Sequence, residues 1–406
     1  MGKFRAYEPE QAWLLPPSVK DVLGEGHLSL FIHEAVERLD TRAMEDSYSD
    51  EGQPGYHPKL LLKLWLYAYC LGVTSSRRVA QRTREDLGFR YLAGGAEPDY
   101  WTLSHFRHRH PRGLNDLFTQ VVEWARAQGW AQLGHIAIDS TRIAANASRD
   151  RIMTGEGLRH ERTRIRKQIR KWQKQCERDG QQEAAGTEAP EDWRKRLDEI
   201  PRQLKQLRKS GLKKQSSTDP ESRFLRERGR FVLGYTADIA VSEDHIVVAQ
   251  RVTQQGNDND SLAPMVAQVE ERCSARPTVV SADSGFYAGA QIQTVLTQGV
   301  DVFVPDSNLA CELNGGPAAE HTDGCVRRRS DLLQSMRAKL RSVAGQTIYR
   351  KRKALVEPVF GTLKAQREGR RFRLRGLAKV RLEFCFMALA YNLTRLHKLS
   401  GPLQIT

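Results

Sequence analysis

HIAID (135–139) and TVVSAD (278–283) decide how this chain folds. Each is a short run of branched and small apolar residues that stops at an aspartate. Runs of this length and polarity suit strands buried on both faces, the usual state of a parallel sheet. The first strand is predicted over 134–139, so that Asp139 closes one strand and Asp283 closes another. FVLGYTADIAVS (231–242) and HIVVAQRVT (245–253) are two further strand patterns. Only Glu243 and Asp244 separate them, which predicts a hairpin. The last strand is VDVFVPD (300–306). Helical patterns begin at SLAPMVAQVEERC (261–273), capped by Asn257, Asp258 and Asp260, and at AGAQIQTVLTQG (288–299). The order is strand, hairpin, helix, strand, helix, strand, helix. It predicts an α/β domain with a mixed five-stranded sheet flanked by helices.

The flanking sequence differs in kind. Residues 1–130 are predicted as an all-α domain, with helices at 28–39, 58–71 and 102–129, the last interrupted at Pro111. RRVAQRTREDLGF (77–89) follows a short turn and is expected to be capped by Ser76. With the helix before it, this makes a helix-turn-helix pattern. Arg77, Arg78, Arg82 and Arg84 lie on its second helix, either as DNA contacts or as a solvated face. Residues 151–225 are a charged excursion. Ile165, Ile169, Trp172 and Cys176, then Leu197, Ile200, Leu204 and Leu207, recur at helical spacing, which predicts an antiparallel helical hairpin. The catalytic core then comprises 131–150 and 226–406. The closing pattern, LAKVRLEFCFMALAYNLTRLHKL (377–399), is apolar on nearly all sides and is expected to be buried.

Composition narrows the partner. The chain of 406 residues has 64 Lys and Arg against 49 Asp and Glu, a net charge of +15. Such an excess favours a polyanion. The N-terminus lacks the apolar core of a signal peptide, and LLLKLWLYAYCLGV (60–73) is too short to span a bilayer. No membrane is expected, and a cytoplasmic setting is. The six cysteines are scattered without a CxxC pair, which suits a reducing compartment. Cys311, His321 and Cys325 lack the fourth ligand of a zinc site. There is no GxxxxGK[ST] phosphate loop.

The chemistry rests on three carboxylates. Asp139 and Asp283 are joined by Glu357 in VEPVFGTLK (356–364). Two strand-borne acids and a helical one suit a site for paired Mg²⁺ ions, with Mn²⁺ as a substitute. Pro358 disfavours helical geometry at the residue before it, so Glu357 is expected at a helix cap. Asp238, Asp258, Asp260 and Asp306 rank lower as candidates. Lys364 lies seven residues past Glu357, about two helical turns. It is expected to meet a phosphate beside the paired-ion site. Tyr349, Arg350 and Arg352 are expected to hold the flanking strand. RRFRLRGLAKVR (370–381), with Arg371, Arg373 and Arg375, adds sequence-independent affinity for a nucleic-acid backbone.

These segments together resemble bacterial insertion-sequence transposases of the Asp-Asp-Glu type. GYHPKLLLKLWLYAYCLGVTSSRRV and PDYWTLSHFRHRH resemble their N-terminal helical domain. IAIDSTRIAANAS and VVSADSGFYA carry the two aspartates. YRKRKALVEPVFGTLK resembles the signature built on Tyr349, Arg352, Glu357 and Lys364. Ser140 replaces a common glycine, Arg142 a common lysine, and the gap from Arg352 to Glu357 is one residue longer than usual. The resemblance implies a ribonuclease H-like fold and catalysis by Asp139, Asp283 and Glu357. It implies that Arg142 joins the other DNA contacts. It also implies double-stranded DNA as partner, both element ends and target, and a homodimer or higher oligomer on that DNA. Two rivals remain at this point: a DNA-binding regulator on a dead catalytic scaffold, and a nuclease that cuts without joining.

Overall fold

The computed structural model describes residues 18–48, 55–178, 189–227, 229–316 and 331–400. His321 and Cys325 fall outside them, and Cys311 is an exposed free thiol. Eight strands are described. They are β1 (His135–Ala144), β2 (Ile152–Thr154), β3 (Lys214–Ser216), β4 (Arg223–Glu227), β5 (Arg230–Ser242), β6 (Val247–Thr253), β7 (Val279–Ala282) and β8 (Asp301–Phe303). The main sheet runs β4–β5–β1–β7–β8, with β6 also paired to β5. β1 is parallel to β7 and antiparallel to β5. This is the expected ribonuclease H-like mixed sheet, flanked by helices.

Three strands depart from expectation. β1 does not stop at Asp139 but continues to Ala144. Its parallel ladder with β7 ends at Ile138, while its antiparallel ladder with β5 runs on to Gly234. The apolar run therefore records where the second neighbour ends, not where the strand ends. β8 is only three residues long, because Asp306 turns the chain into the helix Ser307–Leu313 by accepting from the Asn308 and Leu309 amides. β4 is a sixth strand that five charged-and-apolar residues, RFLRE, did not reveal.

The charged excursion forms the predicted pair of helices, Gly155–Arg178 and Glu191–Ser210. Ile165, Ile200 and Leu207 are buried between them, with Ile169, Leu197 and Leu204 packed alongside. β2 and β3 pair at its base, a clasp too short to read from sequence. In the N-terminal part, Ser76 is the first residue of the helix Ser76–Glu85 and makes no cap; Asp86 instead caps a separate helix, Leu87–Ala93. Pro111 opens the helix Pro111–Ala127 after Tyr100–Arg109 has ended.

A continuous hydrophobic core runs from Phe31 to Leu396. The closing helix Leu377–Leu399 joins its two halves. Cys70 donates to the Ala390 carbonyl on one side, while Asn392 reaches the sheet on the other. The Asn392 amide accepts from Val247 N (2.9 Å) and donates to Val247 O (2.8 Å), so it completes the buried start of β6. No helix among the described residues is long and apolar enough to cross a membrane. Replacing Asn392 by Leu leaves two buried backbone groups unpaired. This variant is expected to lose about 2–4 kcal/mol of unfolding free energy, read from urea titration monitored by circular dichroism.

Candidate active site

The parallel ladder fixes the heart of the site. Ile138 lies opposite Ala282, so the next residues, Asp139 and Asp283, emerge side by side from neighbouring strands. β7 has ended there, and Asp283 caps the short 3-10 turn Ser284–Phe286 by accepting from Gly285 N (3.0 Å). Asp139 accepts from the Ser140 amide (2.8 Å). Burial, with Asp283 as neighbour, pushes the Asp139 carboxyl up to about 7. Burial also raises Asp283, with Asp258 adding to it and Arg352 opposing.

The third acid arrives on a helix, not at its cap. Val343–Gly361 is continuous through Pro358, and a π-helical turn, Thr362–Gln366, follows. Leu355, Val356, Val359 and Leu363 are buried on either side of the proline, and this packing outweighs its local preference. Glu357 is exposed and lines the same cleft as Asp139 and Asp283. Among the described residues, however, no three acidic, histidine or cysteine side chains converge closely enough to hold a metal ion.

Several residues expected at DNA are tied into the protein frame. Arg352 is buried, with Nη1 3.4 Å from Asp139 Oδ2, and its guanidinium lies over the Tyr349 ring. Tyr349 is itself buried. Their helix face is turned to β1 and β7, so both support the aspartates. Arg142 donates to Asp258 (3.1 Å), Ser140 Oγ (2.8 Å) and the Gly256 carbonyl (3.0 Å). Asp258 thus ties its loop to β1 and does not cap the next helix, whose N-cap is Ser261. Lys364 does face the site side, as expected, but donates to Thr141 Oγ1 (2.9 Å), the Arg142 carbonyl (3.1 Å) and Glu227 (3.1 Å).

The basic stretch is anchored too. Phe372 N donates to the Ala144 carbonyl (2.9 Å), which lays the stretch along the end of β1. Arg371 donates to the Ala145 and Ala147 carbonyls, Arg375 to the Asn146 carbonyl, and Arg373 to Thr74 and Glu368. Glu383, buried, accepts from the Arg373 and Leu374 amides. On the helical side, Arg77 lies over Tyr100, Arg78 is 3.6 Å from Glu368, and Arg82 pairs with Asp86 at 3.0 Å; all three arginines are exposed. Of the lower-ranked acids, Asp238 is buried against Arg251 and Ser261, Asp306 is paired with Arg337, and Asp260 is exposed.

The cleft has a volume of about 1340 Å³. It is larger than the roughly 300–1,000 Å³ usual for small ligands. Its acidic floor is Asp139, Asp283 and Asp258, and its rim carries Arg226, Arg230 and Arg370. Arg370 opens the basic stretch read from the sequence, whereas Arg226 and Arg230 were missed because they lie on the unrecognised β4–β5 hairpin. An acidic floor under a basic rim fits a polyanion whose bridging group is to react.

Comparison with known families agrees with this layout. Residues 130–393 match the family described as Transposase DDE domain, and residues 17–109 match one described as Transposase domain. No curated protein and no solved structure matches the chain.

The paired aspartates make stability depend on pH. In the unfolded chain Asp139 releases its proton near 3.8, but in the folded protein only near 7. Between those values the folded state holds more protons, so its stability falls as pH rises. Asp139→Asn removes that loss. In chelator, the variant should nearly match the wild type near pH 4 and exceed it at pH 7 by about 4 kcal/mol. Urea titrations at both pH values measure the gap, and a gap independent of pH would refute it.

Proposed function

This chain belongs to the family of DDE transposases, and on that premise we propose that it cuts DNA at the ends of a mobile element and joins the freed ends to a target. The observation that carries the reading is the alignment of Asp139 with Asp283 on the floor of a basic-rimmed cleft. Two buried carboxylates side by side hold their protons unusually well. That repulsion is what a divalent cation relieves, and an all-oxygen donor set suits Mg²⁺. Asp139 and Asp283 would hold the metal, with Glu357 joining from the facing helix.

A pair of such ions, when bound, supplies an activated hydroxyl and stabilises the leaving oxygen of the phosphodiester. The rest falls to the chain's own groups. Arg352 fixes the Asp139 carboxylate from the protein side. Arg142 and Asp258 brace β1 against the neighbouring loop. Arg226, Arg230 and Arg370 attract the phosphates on either side without reading sequence. Exposed Arg77, Arg78 and Arg82 offer a second contact for the terminal inverted repeats, and two ends held together imply a dimer or larger assembly on DNA. The anchored arginines Arg371, Arg373 and Arg375 hold the basic segment beside the cleft, where their remaining donors meet the duplex.

One observation favours a second reading, a regulator that binds without cutting: among the described residues no third acid, Glu357 included, closes with the two aspartates into a metal-holding group. Substitution separates the two. Asp139→Asn, Asp283→Asn and Glu357→Gln should each abolish Mg²⁺-dependent cleavage of DNA carrying the element ends, by about 10³-fold or more, while binding in a gel-shift assay persists. Full cleavage by any of them removes that residue from the triad. A wild type that binds and never cuts establishes the regulator, and cutting without strand transfer establishes a nuclease.

A further inference from the structure

β5 reaches past the sheet. Its ladder with β1 ends at Gly234, the Leu233 carbonyl still accepts from Ala145 N (2.9 Å), and Arg230–Val232 pair only with β4. The result is a two-stranded ribbon beside the cleft. Its register sets Phe224 opposite Leu233 and Arg226 opposite Phe231. Phe224, Arg226 and Phe231 therefore share one face, while Glu227, Arg230 and Val232 share the other and line the cleft, whose rim Arg226 also reaches. Phe231 is 63% exposed and Phe224 39%. The ribbon is held still. Arg149 donates to the Phe231 carbonyl (2.9 Å), and Lys364 grips Glu227 (3.1 Å).

We propose that this ribbon is a nucleotide-binding wedge, in which Phe231 stacks on a DNA base that has left its pair beside the cleft. The inference rests on the reading that DNA occupies the cleft. Two exposed rings call for an apolar partner, yet Arg226 shares their face and Arg230 projects from the cleft side of the same ribbon. A base joined to phosphates satisfies both demands at once: its flat face covers the ring, and its backbone meets the arginines. A two-stranded ribbon also has the width that a major groove of about 12 Å admits. An apolar wedge that enters a duplex unstacks neighbouring bases. The ring then replaces the stacking partner the base has lost.

The test uses the full chain and two fluorescent 30-base-pair duplexes, one blunt and one with a four-nucleotide splayed end. The wild type should bind the splayed duplex more tightly. Phe231→Ala should remove that preference, by about 5- to 100-fold, the loss of one base–aromatic stack, and leave blunt-duplex affinity within about twofold. Phe231→Trp should keep the preference, and abasic nucleotides in the splayed end should erase it in the wild type. Because Phe231 is exposed, circular dichroism of both variants should match the wild type. Equal losses on both duplexes, or no loss, overturn the wedge while leaving the DNA reading intact. A wild type that binds neither duplex overturns that reading and the wedge with it. If Phe231→Ala instead dissociates a DNA-free dimer, the face is a contact between copies and the proposal falls.

Discussion

The register between β1 and β7 is the constraint on which everything else depends. Ile138 opposite Ala282 means that two carboxylates leave adjacent strands at the same height. A one-residue slip would turn one of them to the other face of the sheet. The fold guards against such a slip with apolar residues on both sides. Ile136, Ala137, Ile138, Val280 and Ala282 are all fully buried. The price of that precision is electrostatic, because two acids side by side in a buried setting repel each other.

The surroundings moderate this repulsion without removing it. Arg352 approaches Asp139 from the glutamate helix, and Arg142 neutralises Asp258 from β1. Arg352 touches Asp139 alone but opposes the rise at both aspartates, and Arg142 adds a weaker pull on Asp283. The pair keeps its high proton affinity. The pair is thus held in alignment and left short of positive charge, which is the condition the proposed metal site requires.

Much of this was legible in the sequence, and the failures have physical causes. The five core strands, the helical hairpin and the buried closing helix all carry strong apolar patterns over many residues. Position along a strand was less visible. The change from buried to half-buried at Asp139 reads as an end, but β5 alone sustains the strand to Ala144. Glu357 was misplaced because a local rule about proline was given more weight than the apolar residues packed around it. β2, β3 and β4 were missed because three to five residues give no period to count.

Charge shows the deepest limit of reading a chain in one dimension. The sequence offers 64 basic residues with no sign of which face inward. Density drew attention to 370–381 and to the glutamate signature. In three dimensions density often means the reverse of availability. Arg142, Arg352 and Lys364 are held by acids and carbonyls around the aspartates, Arg371 and Arg375 pin the basic segment to the residues just past β1, and Arg373 ties it to Thr74 and Glu368. These cations shape the cleft more than they extend from it. By contrast, Arg226, Arg230 and Arg370 line the cleft with no side-chain hydrogen bond or ion pair to another described residue. Two of the three come from the ribbon that the sequence pattern concealed. On the proposed reading, a polyanion would meet these open arginines first, while the crowded ones hold the floor in register beneath it.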